Sequence, residues 1–116
     1  VPNQLAFTPN RIELPTDAEL IIRFENPDLM IHNLVIADRE SGEHVGTLAD
    51  KLALQPNASK RGYIPESTKV LAATPLVHPN AKAEILFRTP STPGDYPFLC
   101  TFPGHWRVMR GLFIVR

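Results

Sequence analysis

What the sequence has little of already excludes several classes of protein. It carries one cysteine, Cys100, so no disulfide can form within the chain. Twelve Lys and Arg are balanced by twelve Asp and Glu, so the strong one-signed field of a nucleic-acid or membrane-surface binder is missing. No apolar run approaches the ~20 residues of a membrane-spanning helix. The chain opens on Val1-Pro2 without an initiator Met or a recognisable leader. That opening reads as a mature or excised piece and leaves open a domain cut from a longer chain. Proline, by contrast, is in excess. Twelve prolines in 116 residues is about twice the usual ~5%, and each one removes an N–H and fixes φ. A bundle of long helices is excluded. With 43% hydrophobic and 21% charged residues, the chain suits one folded domain spanning 1–116.

The apolar residues recur at the period of short strands. Candidates are residues 4–8, 11–14, 19–25 (ELIIRFE), 32–38 (HNLVIAD), 70–77, 82–88 (KAEILFR), 96–101 and 112–115. In ELIIRFE, Leu20, Ile22 and Phe24 share one face; in KAEILFR, Ile85 and Phe87 do. The continuous run in HNLVIAD implies a strand buried on both sides. Residues 70–77, interrupted by Pro75, fit an edge strand. Leu48, Leu52 and Leu54, with Ala49 and Ala53, allow one short helix ending near Gln55-Pro56-Asn57. Seven or eight strands at such spacing predict an all-β sandwich or barrel.

The chemistry is concentrated in FLCTFPGHWRVMRG, residues 98–111. Cys100, His105 and Met109 stand at C-x4-H-x3-M on one connection between two strands. A thiolate, an imidazole and a thioether are soft and borderline ligands, which suit copper better than magnesium, calcium or manganese. A fourth ligand must come from elsewhere, and His32, at the start of a buried strand, is the candidate. Two imidazole nitrogens and a thiolate in a plane, with a weak axial Met, form the blue-copper arrangement. Taken singly, each residue has a plainer reading: Cys100 as a small core residue, Met109 as a gap-filler, Asn33 as a turn residue. His44 and His78, beside Gly and Pro, read as exposed and uncoordinated. Tyr63 and Tyr96 read as core or corner residues.

The stretch CTFPGHWRVMRG together with MIHN resembles the azurin and auracyanin branch of the cupredoxins, small blue copper proteins, and the resemblance runs over nearly the whole chain. It implies a Greek-key β-sandwich of about eight strands, with a short helix in a flap spanning residues 44–64. It implies one type 1 copper, with His32, Cys100 and His105 as equatorial ligands and Met109 as the axial one. The Ile31 carbonyl falls at the position of the azurin fifth contact, which is glycine in many azurins. Asn33 would pin the ligand loop toward Thr101, and the N–H groups of Asn33 and Phe102 would donate to the cysteine sulfur. Leu29, Met30, Pro103 and Trp106 would surround His105 as an apolar electron port, although Met30 and Trp106 read equally as packing residues. Arg107 and Arg110 flank that port, which would favour a partner with acidic residues; their simpler reading is as solvated surface charges.

The resemblance implies an electron carrier outside the cytoplasm, periplasmic or otherwise extracytoplasmic, exchanging electrons with redox proteins and turning over no substrate. An alternative is a copper domain of a larger secreted redox enzyme, passing electrons to a fused centre such as a c-type haem domain. Catalysis by the chain itself, as in a multicopper oxidase, needs more histidines than the four present. Copper storage or delivery favours exposed, exchangeable thiols. Structural zinc disfavours the Met.

Overall fold

The computed structural model describes residues 6, 7 and 9–116; the strand expected at residues 4–8 lies outside the described residues save for Ala6 and Phe7. Seven strands follow: β1 (Arg11–Leu14), β2 (Glu19–Glu25), β3 (Val35–Ala37), β4 (Val70–Ala73), β5 (Lys82–Arg88), β6 (Gly94–Leu99) and β7 (Arg110–Val115). They form a five-stranded sheet ordered β1-β7-β6-β3-β4 and a two-stranded sheet of β2 with β5. Pairing is antiparallel except between β1 and β7. The chain changes sheet between β1 and β2, β2 and β3, β4 and β5, and β5 and β6. The Greek-key sandwich is thus present, with seven strands among the described residues.

The alternation read from sequence decides which faces are buried. Ile22, Phe24, Ile85 and Phe87 turn into the space between the sheets, where they meet Leu34, Ile36, Tyr96, Phe98, Phe113 and Val115. Ile21 and Leu86, paired across β2 and β5, face outward at 70% and 69% exposure. Strand β3 is buried on both faces because Ile36 joins this inner core while Val35 and Ala37 join a second one. That second core lies under helix α1 (Gly42–Leu52) and contains Val45, Leu99 and Trp106.

Two elements depart from the expected boundaries. The strand expected over residues 32–38 is regular only over β3, with an isolated bridge from His32 to Val77. Pro75 has no N–H to continue the β3–β4 ladder. The ladder closes at Thr74, whose N–H donates to the Leu34 carbonyl at 2.8 Å and whose hydroxyl oxygen accepts the Leu34 N–H at 2.9 Å. Helix α1 starts earlier than its leucines implied and buries Val45, Gly46, Ala49 and Leu52. Leu54 falls past the last turn and is 85% exposed. Val45, Ala49 and Leu52 keep the i, i+4, i+7 spacing of one helical face, and that face meets the sheet. As expected, β4 is the edge of its sheet.

Candidate metal centre

The β6–β7 hairpin carries the ligand loop. Ladder pairing ends at Leu99 opposite Arg110, and the nine residues beyond Cys100 are closed by backbone bonds rather than by strand. Cys100 N–H donates to the Met109 carbonyl at 3.1 Å, and Met109 N–H donates to the His105 carbonyl at 2.8 Å. Gly104, at φ +84°, supplies the left-handed turn that lets the loop fold back before His105. His32 arrives from the other direction, held at the head of β3 by reciprocal backbone bonds with Val77 of 3.2 and 2.7 Å.

Three donor atoms converge inside the sandwich. His32 Nδ1 and His105 Nδ1 are 3.2 Å apart, and Cys100 Sγ lies 3.7 and 3.6 Å from them. The point equidistant from the three is about 2.0 Å from each, close to the ~2.0–2.3 Å at which nitrogen and thiolate ligands hold a metal ion. All three residues are buried, so a cation there is shielded from water and held by ligands that cannot swing away. Met109 is buried in the same core cluster as Cys100. Among the described residues, His32, Cys100 and His105 form the one such ligand group.

The electrostatics are set by burial and by hydrogen bonds into the site. Burial pushes the Cys100 thiol up, while the backbone N–H groups of Asn33 and Phe102 donate toward its sulfur and oppose that shift. Burial lowers the His105 imidazolium, as does the nearby His32, against a smaller opposite pull from Asp28. A metal ion reverses this logic, because a bound cation favours the thiolate and the neutral imidazoles.

Around the donors the loop is tied to two other segments. Asn33, fully buried, accepts from the Thr101 N–H at 2.8 Å and donates to Thr101 Oγ1 and the Gly62 carbonyl, both at 2.9 Å. Phe102 sits edge-on to Tyr63 with ring centres 5.2 Å apart and 5.0 Å from the His105 ring. The Tyr63 contact joins the ligand loop to the segment after α1. Ile31 is half-buried ahead of His32.

The apolar residues expected around His105 divide. Leu29 and Met30 are exposed at 75% and 44%, and Pro103 is exposed as well. Val108, unremarked in the sequence, joins them at 61%. Trp106 is not a surface residue; it is buried under α1, and its Nε1–H donates to Asp50 Oδ1 at 3.1 Å. The helix makes room for it: a Cβ on Gly46 would stand 2.2 Å from the indole. Arg107 lies over the same ring and binds Asp50 Oδ2 at 2.9 Å. A glycine inside a helix is a costly choice and was the signal for this close approach. Asp28, whose Oδ2 is 2.7 Å from His32 Nε2, was also missed. The clue was a carboxylate four residues ahead of a ligand histidine.

A buried His2Cys triangle with a methionine beside it, held between two packed sheets, defines a blue copper site, with His32, Cys100, His105 and Met109 as its residues. The model of the copper binding proteins of the plastocyanin/azurin family matches residues 2–116. This chain belongs to that family. It is 33% identical over 118 residues to Auracyanin-B and 28% identical over 114 to Auracyanin-A, both of Chloroflexus aurantiacus, with 98% and 97% of this chain covered. It spans 48% of the first and 68% of the second. The reduced auracyanin of Roseiflexus castenholzii superposes with a TM-score of 0.84 at 30% identity, covering 99% of this chain and 90% of that one.

Proposed function

We propose that this chain is an electron carrier whose copper cycles between Cu(II) and Cu(I), with residues 1–116 acting as one domain. The convergence of His32, Cys100 and His105 on one buried point carries the reading. Copper supplies a one-electron couple; the protein's part is to hold both oxidation states in one geometry. His32 and His105, each through Nδ1, and Cys100 through its thiolate would hold the metal, and the Met109 thioether beside them would add a weak fourth donor. The loop closures and the Asn33 bridge keep these side chains in place when the charge changes. Hydrogen bonds from Asn33 and Phe102 draw electron density from the sulfur and favour the reduced state. We assign the chain no substrate of its own, because His32, Cys100 and His105 are committed to the metal in this reading.

Leu29, Met30 and Pro103 form the exposed apolar surface through which electrons pass to redox proteins, and Val108 extends it. Arg110 is exposed on the same hairpin, which favours partners with acidic residues. We place the protein outside the cytoplasm; among the described residues no helix is long and apolar enough to cross a membrane. A second reading is a copper domain feeding a fused redox centre; the chain spans only 48% of Auracyanin-B.

A copper(II) titration of the metal-free protein, followed by visible absorption and EPR, tests the site. An intense thiolate-to-copper band with narrow hyperfine splitting, saturating at one equivalent and lost in Cys100→Ser, is expected. A weak band with wide tetragonal splitting would remove Cys100 from the coordination plane and sink the reading.

A further inference from the structure

A metal-binding imidazole needs its second nitrogen fixed as well as its first. His32 turns Nδ1 toward Cys100 and His105, so Nε2 carries the ring hydrogen and needs an acceptor. That acceptor is a buried carboxylate: Asp28 is 6% exposed, with Oδ2 2.7 Å from Nε2. The carboxylate is itself held. Its Oδ1 accepts the Leu29 N–H at 2.7 Å, and the Asp28 N–H donates to Asn26 Oδ1 at 3.0 Å. Asn26, 2% exposed, donates in turn to the carbonyls of Met30 and Val77, both at 2.8 Å. Asn26 thus fixes the turn, the turn fixes Asp28, and Asp28 meets the ring of His32.

We infer that Asp28 is a positioning residue of the copper centre, locking His32 in the tautomer that presents Nδ1 and, as an anion one imidazole away, favouring Cu(II) over Cu(I). The inference rests on the copper reading above and deepens it. A carboxylate hydrogen-bonded to a ligand imidazole makes the ring a stronger donor, and loss of such a partner typically changes metal affinity by roughly 10–100-fold. Asp28 thereby opposes the N–H groups aimed at the cysteine sulfur, which favour the reduced state. The charge of Asp28 also reaches the far histidine, whose protonated form it favours.

Two variants separate this role from a merely structural one. Asp28→Asn keeps the size of the side chain but removes the charge and leaves a single acceptor oxygen where Leu29 N–H and His32 Nε2 use two; Asp28→Ala removes both acceptors. In the metal-free protein, nitrogen NMR of the His32 ring should show the Nε2–H tautomer in the parent and a mixture of tautomers in Asp28→Ala. In the copper-loaded protein, Asp28→Asn should shift the Cu(II)/Cu(I) balance roughly tenfold toward Cu(I), read by voltammetry as a rise of about 59 mV in a one-electron couple. An unchanged tautomer in Asp28→Ala together with an unchanged potential in Asp28→Asn would overturn the inference. Should Asp28→Ala not fold, the potential of Asp28→Asn decides alone. If the parent instead fails to give a blue copper spectrum, the functional reading falls, and the tautomer of the metal-free protein still decides whether Asp28 positions His32.

Discussion

Gly46→Ala is the substitution whose usual effect this fold should reverse. In the interior of an exposed helix the change stabilises by about 0.5–1 kcal/mol, because alanine loses less backbone entropy on folding. Here the added Cβ would lie 2.2, 2.4 and 2.4 Å from Cδ2, Cε2 and Cε3 of Trp106, against the ~3.5–4.0 Å of a normal carbon contact. The ring would have to retreat by well over 1 Å. It has nowhere to go, since Val35, Ala37 and Leu99 of the sheet pack in the same cluster and its Nε1–H is held by Asp50. Overpacking of this kind costs about 1–3 kcal/mol, so the net expectation is a loss of about 0.5–2 kcal/mol in urea unfolding of the metal-free protein. Because Trp106 follows His105 directly, the visible band of the copper form should also shift. In a Trp106→Ala background, itself destabilised by about 3–5 kcal/mol, Gly46→Ala should become stabilising, and the double-mutant cycle should return a coupling of about 1–3 kcal/mol. If Gly46→Ala stabilised the parent as much as it does the Trp106→Ala background, the close approach of helix and indole would be refuted.

Three further outcomes follow from the site. Asn33→Ala strands the buried Thr101 N–H and removes three hydrogen bonds; chemical denaturation should show a loss of at least about 2 kcal/mol, and a neutral result would refute the bridge. Met109→Leu should retain copper and raise the reduction potential in voltammetry, whereas loss of copper would make the thioether a holding ligand rather than a weak axial one. The metal-free protein should be less stable at both pH extremes, as read by urea midpoints across pH. His105 is lowered by burial and by His32, so its contribution is present above about pH 6.5 and is lost as pH falls through the folded value. Cys100 is raised by burial, so its contribution is present below about pH 8.5 and is lost as pH rises through the folded value. A flat profile across both windows would contradict the burial of the two ligands.

By itself the sequence determined what is local and periodic. Alternation in ELIIRFE and KAEILFR assigned the inner faces of β2 and β5, because successive side chains on a strand must point to opposite sides. The spacing of Cys100, His105 and Met109 on one connection named three donors, because soft ligands so close in sequence on one loop point to one metal. Tertiary structure decided what depends on which faces meet. His32 comes to within 3.7 Å of Cys100 across 68 residues of chain, a distance set by the pairing of β3 with β6. Trp106 reads in sequence as an amphipathic aromatic beside a ligand, equally fit for the surface. Only the packing of α1 on the outer face of the five-stranded sheet, with a glycine at the contact, made it core. Asp28 follows Asn26-Pro27, a pair that marks a turn; its carboxylate gained its partner only when that turn was folded against the ring of His32. Periodicity reports the side to which a residue points, and burial and partner follow from contacts between segments far apart in the chain.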